Sequence, residues 1–274
     1  MIKYSYMEKD LPVWNQYRPG NEPYSSARLF EILPRFFGDK GQFIVGLYAY
    51  LRWVDDYVDE GENLSKKQKL TFLERQMGLV AGFVPENSMP MESVLNDLPW
   101  TKVPEKLVRH RINIILGSIM DDVEHQGLVP RTEREIRHYN LRTMWPVVDG
   151  LFLVLNGKSM KPNRSTMDFL DSYMKIGSLE GLGDDLKQGV LKLSVPDLPI
   201  KSISTAKEVE EKFDEKWFDR QKWTNLRNMA RNIGTFVGLD IPACQKLAAI
   251  AYTGEMLVRK SIKVNRKKSF ETGI

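Results

Sequence analysis

Cysteine is almost absent from the chain, since Cys244 is the single example among 274 residues. One cysteine excludes an internal disulfide framework and a cysteine-based zinc site, and it is consistent with a reducing cytoplasm. The chain also has no large excess of one charge: it contains 40 basic and 36 acidic residues, which give a formal net charge of +4. We therefore expect no nucleic-acid partner.

Long hydrophobic runs are missing as well. The strongest stretch, residues 147–155, is short and carries Asp149, whereas a membrane-spanning helix needs about 20 apolar residues. The N-terminal residues lack the apolar stretch and the small-residue cleavage site of a signal peptide. We expect a cytoplasmic protein whose membrane contact, if it has any, is peripheral.

Apolar residues recur at spacings of three and four, which predicts an all-α fold in a single domain over residues 1–274. Helix start and stop signals predict helices over residues 25–37, 40–59, 65–83, 104–124, 132–156, 165–189, 209–238 and 242–268. Residues 193–204, which contain two prolines, are the one long irregular segment, and we interpret them as a flap beside a site.

A polar stripe follows one face of the second predicted helix: Tyr48, Arg52, Asp55 and Asp59. Large apolar side chains flank these carboxylates, which suggests that they face a cavity where a cation neutralises them. Mg²⁺ binds through one or two carboxylates and substrate phosphate oxygens, so Asp55 and Asp59 are candidate ligands and Arg52 a candidate phosphate contact. The alternative is a solvent-facing helix end capped by Gly61, with Arg52 in a surface ion pair with Asp55 or Asp56.

A second acidic cluster combines Glu180, Asp184 and Asp185 with glycines at 177, 181 and 183. Glycine weakens a helix by about 1 kcal/mol relative to alanine, so these glycines suggest the close approach of a ligand or of another helix. Two acidic helices that face one another would form a multi-magnesium clamp for a diphosphate. The alternative is a glycine-rich helix end with a capping acidic pair.

Residues 47–60, Leu-Tyr-Ala-Tyr-Leu-Arg-Trp-Val-Asp-Asp-Tyr-Val-Asp-Glu, closely resemble the first aspartate-rich motif of squalene and phytoene synthases. Other segments resemble that family less closely: residues 25–34, Ile119-Met120-Asp121 with Tyr139, and Ala251-Tyr252 with the basic residues beyond it. The family's second motif has an asparagine, an arginine and two aspartates four apart. In the corresponding register this chain has Gly177, Glu180, Gly181 and Asp185.

The resemblance implies an isoprenoid synthase fold with a central cavity, a Mg²⁺ cofactor and a reaction that begins by ionising an allylic isoprenyl diphosphate. It implies metal ligands at Asp55 and Asp59, catalytic residues at Tyr48, Arg52, Tyr139 and Tyr252, and substrate contacts at Ser25 and Asp56. The second acidic cluster adds Glu180, Asp184 and Asp185 as candidate metal ligands, and Arg259 and Lys260 are further candidate substrate contacts. Arg259 and Lys260 belong to a basic C-terminal cluster that is suited to a diphosphate or to an anionic membrane.

We expect a Mg²⁺-dependent prenyltransferase whose acceptor is a second prenyl diphosphate or a non-isoprenoid compound. A terpene cyclase of the same fold, or a non-catalytic assembly factor, is the alternative. Aromatic faces stabilise carbocations, so four aromatic residues are candidates for that role, although aromatics at helical spacing usually belong to the core: Trp53, Tyr57, Trp145 and Phe152.

Overall fold

A computed structural model describes residues 33–35, 37–59, 64–124, 131–182, 185, 191–192 and 215–232. This part of the chain contains no strand, and its helices are α1 (Asp39–Asp59), α2 (Lys66–Val80), α3 (Pro90–Asp97), a 3-10 helix (Trp100–Lys102), α4 (Glu105–Glu124), α5 (Glu133–Asn156), α6 (Arg164–Glu180) and α7 (Glu215–Asn232). The predicted all-α class is confirmed. Within the described ranges, no helix is long and apolar enough to cross a bilayer.

Start signals in the sequence mark the helix beginnings well: α1, α2, α4, α5 and α6 each begin within one residue of the predicted position. Side-chain caps explain two of these starts, because Ser65 accepts a hydrogen bond from the backbone N–H of Gln68 and Asn163 accepts one from Thr166. Helix α2 ends three residues before its predicted end, ahead of Gly82, whose φ of +102° lies outside helical space. The predicted irregular segment 193–204 and last helix 242–268 lie outside the described residues.

Helix α3 was not predicted. It spans only eight residues, too few for a periodic pattern to identify it. Its start is nevertheless well defined, since Pro90 occupies the first turn and Glu92 Oε2 accepts a hydrogen bond from the backbone N–H of Met89 at 2.8 Å.

The described residues fall into two compact units. The first unit comprises residues 33–124 and 146–160, and the second comprises residues 131–145 and those from 161 onward. Helix α5 contributes to both, with the division falling at Pro146. The single domain over residues 1–274 stays a prediction.

A buried polar network joins three helices of the first unit beneath the first acidic motif. The Tyr50 hydroxyl donates to Gln76 Oε1 at 2.9 Å, and Gln76 Nε2 donates to Glu92 Oε1 at 2.7 Å. Arg75 donates to both carboxylate oxygens of Glu92, at 2.8 and 2.7 Å. The network fixes the buried face of α1, so the opposite face of that helix is held at a defined orientation.

Candidate functional site

The first acidic motif occupies the last turns of α1, as its spacing predicted. The Arg52 guanidinium lies 2.9 Å from Asp56 Oδ1 and 3.5 Å from Asp55 Oδ2. The Asp55 side chain is 40% exposed and that of Asp56 17%, while Asp59 is exposed at the end of the helix. Arg52 therefore pairs with both neighbouring carboxylates, and the Asp55 side chain is still partly exposed to solvent.

The charge pattern of α1 opposes its own dipole. Asp55, Asp56 and Asp59 all lie in the last five residues, and the last turn contains no basic side chain. Carboxylates near a helix C-terminus are unfavourable because that end carries a partial negative charge. A bound cation would offset this unfavourable placement of charge.

The pair Asp55 and Asp59 suits Mg²⁺, because they are one helical turn apart and both are accessible. In the ranges that the structure describes, no three acidic, histidine or cysteine side chains converge as a metal-binding group. Mg²⁺ commonly uses only one or two carboxylates and completes its octahedron with waters and phosphate oxygens. The residues therefore fit a magnesium ion that arrives together with a phosphate-bearing ligand.

An apolar pocket with a cavity volume of about 100 Å³ lies in the first unit. This volume is below the range of about 300–1,000 Å³ typical of small-molecule sites. Helices α1, α4 and α5 supply its walls: Ile44, Leu47, Tyr48, Leu51, Val108, Arg111, Ile112, Ile115, Pro146, Val147, Gly150, Leu151 and Val154. The predicted site residue Tyr48 thus faces a hydrophobic space, four residues before Arg52.

The pocket extends along α1 away from the acidic motif. Its α1 lining begins at Ile44 and ends at Leu51, a rise of about 10 Å at 1.5 Å per residue. Lys40 Nζ donates to the Leu155 carbonyl at 2.9 Å, which places the start of α1 beside the end of α5. The last α1 residue of the lining, Leu51, lies one helical turn before Asp55.

A buried ion pair supports the wall between α4 and α5. Asp149 is fully buried and accepts hydrogen bonds from Arg111 Nε at 2.6 Å, Ser159 Oγ at 2.8 Å and the backbone N–H of Met160 at 2.6 Å. Sequence reasoning missed this role of Asp149, although a charge inside an apolar run signals a buried partner. Nothing in the spacing identified Arg111, 38 residues earlier, as that partner.

The aromatic residues Trp53 and Tyr57 belong to the core of the first unit. The Trp53 ring packs edge-on against Phe72 at 5.5 Å between centroids, and Tyr57 stacks on Phe72 at 4.1 Å. Neither lines the pocket described above. Their position agrees with the alternative that helically spaced aromatics are core residues, and Tyr48 is the aromatic side chain that faces the pocket.

Tyr139 lies in the second unit, on α5. Its side chain is nearly buried, and the Arg131 guanidinium lies 5.1 Å from the centre of its ring. The next residue, Asn140, is fully buried and donates to Asp171 Oδ1 at 2.9 Å. Tyr139 is therefore held in a packed, polar part of that unit.

Part of the second acidic cluster is also described. Asp185 Oδ1 lies 3.4 Å from Lys192 Nζ. Glu180 is the last residue of α6, but its side chain and the whole of Asp184 lie outside the described residues. The other predicted site residues outside the described ranges are Ser25, Tyr252, Arg259 and Lys260.

No family profile and no curated protein sequence matches this chain. A solved structure does match it, the crystal structure of a dehydrosqualene synthase in complex with ligand, with a TM-score of 0.62 and 18% sequence identity. The match covers 97% of this chain and 95% of the synthase chain. At that identity the likeness shows the fold, so the chain has the all-α fold of the isoprenoid synthases.

Proposed function

We propose that the protein is a Mg²⁺-dependent prenyltransferase that ionises an allylic isoprenyl diphosphate and transfers the prenyl group to an acceptor. One observation carries the proposal: the apolar pocket is lined on α1 by Tyr48 and Leu51, which lie one helical turn before Arg52 and Asp55. An isoprenyl diphosphate has the same two-part chemistry, a long hydrocarbon chain attached to a polyanionic head. The fold of a dehydrosqualene synthase is consistent with this assignment.

The diphosphate head would lie at the C-terminal end of α1. Asp55 and Asp59 would hold magnesium. Because the Arg52 side chain is 45% exposed, its guanidinium could turn from the carboxylates to a phosphate oxygen. When bound, magnesium stabilises the negative charge that develops on the departing diphosphate. Arg52 adds a second positive group in the same place.

The pocket walls would hold the part of the hydrocarbon chain next to the diphosphate and exclude water from the allylic cation. Leu47, Leu51 and Val147 provide apolar contact, while the face of the Tyr48 ring can stabilise positive charge near the head. Water exclusion is necessary since an allylic cation is otherwise quenched to an alcohol. The acceptor is a second prenyl diphosphate or a non-isoprenoid nucleophile, and a cyclase would need no acceptor.

The test is the release of pyrophosphate from C10, C15 and C20 prenyl diphosphates in the presence of Mg²⁺, with product identification by mass spectrometry. The double variant Asp55→Asn/Asp59→Asn should lose turnover by about 100-fold or more. Asp97→Asn removes an exposed carboxylate at the end of α3 and serves as the matched control. If the wild type shows no turnover and no binding, a non-catalytic role such as assembly is left. If the double variant keeps full activity, Asp55 and Asp59 are not the site.

A further inference from the structure

Asp185 continues the face of α6 beyond the end of that helix. The backbone N–H of Asp185 donates to the Gly181 carbonyl at 2.9 Å, and that of Gly181 donates to the Gly177 carbonyl at 2.9 Å. Helical hydrogen bonds thus connect the three positions at a spacing of four. Gly177, Gly181 and Asp185 therefore share one face.

This face has no side chain at Gly177 and Gly181. Among the described residues, a Cβ atom at Gly177 would meet no atom within 4 Å, and one at Gly181 would meet only the Gly177 carbonyl oxygen at 3.5 Å. The residue one turn before Asp185 is Gly181, which supplies no second carboxylate for chelating a metal across a turn.

The side chain of Lys192 lies beside the Asp185 carboxylate, where a metal ion would otherwise bind. The Nζ of Lys192 lies 3.4 Å from Asp185 Oδ1, and the two side chains are only 24% and 15% exposed. Buried leucines anchor both segments, because Leu182 is 0% and Leu191 is 2% exposed. This pair is less exposed than the pair of Arg52 with Asp55, whose side chains are 45% and 40% exposed, so water screens it less. The ammonium group therefore neutralises Asp185 and repels a second cation at the same carboxylate.

We propose that Lys192, and not a magnesium ion, is the counter-ion of Asp185, so that Asp185 is no metal ligand. The inference rests on the proposed function, which supplies the magnesium. It adds that the Lys192 ammonium group takes the place of a metal ion at Asp185. It revises the expectation that Asp185 belongs to a magnesium cluster. The predicted roles of Glu180 and Asp184 are independent of it.

The first test counts bound metal by the electron paramagnetic resonance of Mn²⁺ with inorganic pyrophosphate as the anion. Asp185→Asn should leave the number of bound Mn²⁺ ions and their affinity unchanged within twofold. Asp55→Asn is the positive control and should weaken Mn²⁺ binding at least tenfold. Loss of a bound ion in Asp185→Asn would overturn the inference.

The second test needs no metal and measures the coupling between the two side chains by thermal unfolding. Lys192→Gln should lower the unfolding temperature of the wild type but not that of Asp185→Asn, whereas additive losses would overturn the inference. Lys161→Gln, an exposed lysine of the same unit, should have no effect in either background. If Asp55→Asn also left Mn²⁺ binding intact, the proposed function would fail. The unfolding temperatures of the Lys192 and Asp185 variants would still decide the role of Lys192.

Discussion

At the scale of single residues, Glu92 is a buried carboxylate that accepts four hydrogen bonds in the first unit. Burial alone would raise the pKa of its carboxyl group, but hydrogen bonds from Arg75, Gln76 and the Met89 backbone outweigh burial and lower the pKa below the ordinary value of 4.5. The same carboxylate contributes, together with burial, to a raised pKa of the Tyr50 hydroxyl. Glu92 is therefore ionised in the folded protein and stabilises it in that form.

Replacing Glu92 by glutamine should lower the free energy of unfolding at pH 7 by about 1–3 kcal/mol, because charged hydrogen bonds are lost in a buried place. The folded-state pKa is depressed, so this stabilisation is complete above the unfolded pKa of 4.5 and is lost as the pH falls through the lower folded value. Urea unfolding of both proteins between pH 7 and pH 3 measures the difference, which should shrink at acid pH.

Glu86→Gln is the matched control for that experiment, since Glu86 is an exposed glutamate that lies six residues earlier. Its unfolding free energy should differ from that of the wild type by less than about 0.5 kcal/mol. A Glu92→Gln protein as stable as this control would contradict the role given to the buried network.

Residue-scale prediction succeeded where partners are close in sequence. An ion pair of Arg52 with Asp55 or Asp56 was the alternative to a phosphate contact, and the structure pairs Arg52 with both carboxylates. The phosphate contact stays a prediction. The pair between Arg111 and Asp149 was not found, because 38 residues separate them and their contact depends on how α4 packs against α5. The residues that line the apolar pocket were not predicted for the same reason, because they come from three helices.

At the scale of elements, glycines decide how α1 packs at its start. A Cβ atom at Gly41 would lie 2.3 Å from the Leu33 carbonyl oxygen, which is backbone and cannot rotate away. A Cβ at Gly78 in α2 would lie 3.8 Å from the Phe83 side chain, an ordinary contact. Two glycines in helices of the same unit therefore have opposite tolerance for a methyl group.

Gly41→Ala should lower the free energy of unfolding by about 1–3 kcal/mol, because the backbone near Leu33 must move. Gly78→Ala should be neutral or raise it by up to about 1 kcal/mol through better helix propensity. Chemical denaturation of the two variants side by side is the measurement. Equal stability of both variants would show that residues 33–34 do not pack against α1 as described.

Element boundaries were predictable wherever a local signal specified them. Ser65, the predicted start of α2, is its capping residue, whereas the predicted start of α6 at Ser165 lies one residue inside the helix, which Asn163 caps. Helix α3 has equally local signals in Pro90 and Glu92, but eight residues are too few to show an apolar period. Its role became visible only through the contacts of Glu92 with α2.

At the scale of the whole molecule, the proposed function needs a polar head site and an apolar tail site that act on one ligand. Binding of the tail contributes about 0.8 kcal/mol per buried methylene, so a prenyl diphosphate should bind far more tightly than pyrophosphate. The pocket beside α1 is the tail site in this proposal, and Asp55 with Asp59 forms the head site. The two contributions can be separated by substituting a pocket wall residue that is distant from the carboxylates.

Leu47→Trp places a larger side chain on the pocket wall and should weaken binding of a C15 thiodiphosphate analogue at least tenfold, or about 1.4 kcal/mol. Binding of inorganic pyrophosphate with Mg²⁺ should stay unchanged, because the head site is two turns away on α1. Isothermal titration measures both affinities. Leu107→Trp makes the same change at an exposed position outside the pocket and should alter neither. Parallel loss of both affinities in Leu47→Trp would indicate a damaged fold, and wild-type affinity for the C15 analogue would show that the prenyl chain binds elsewhere.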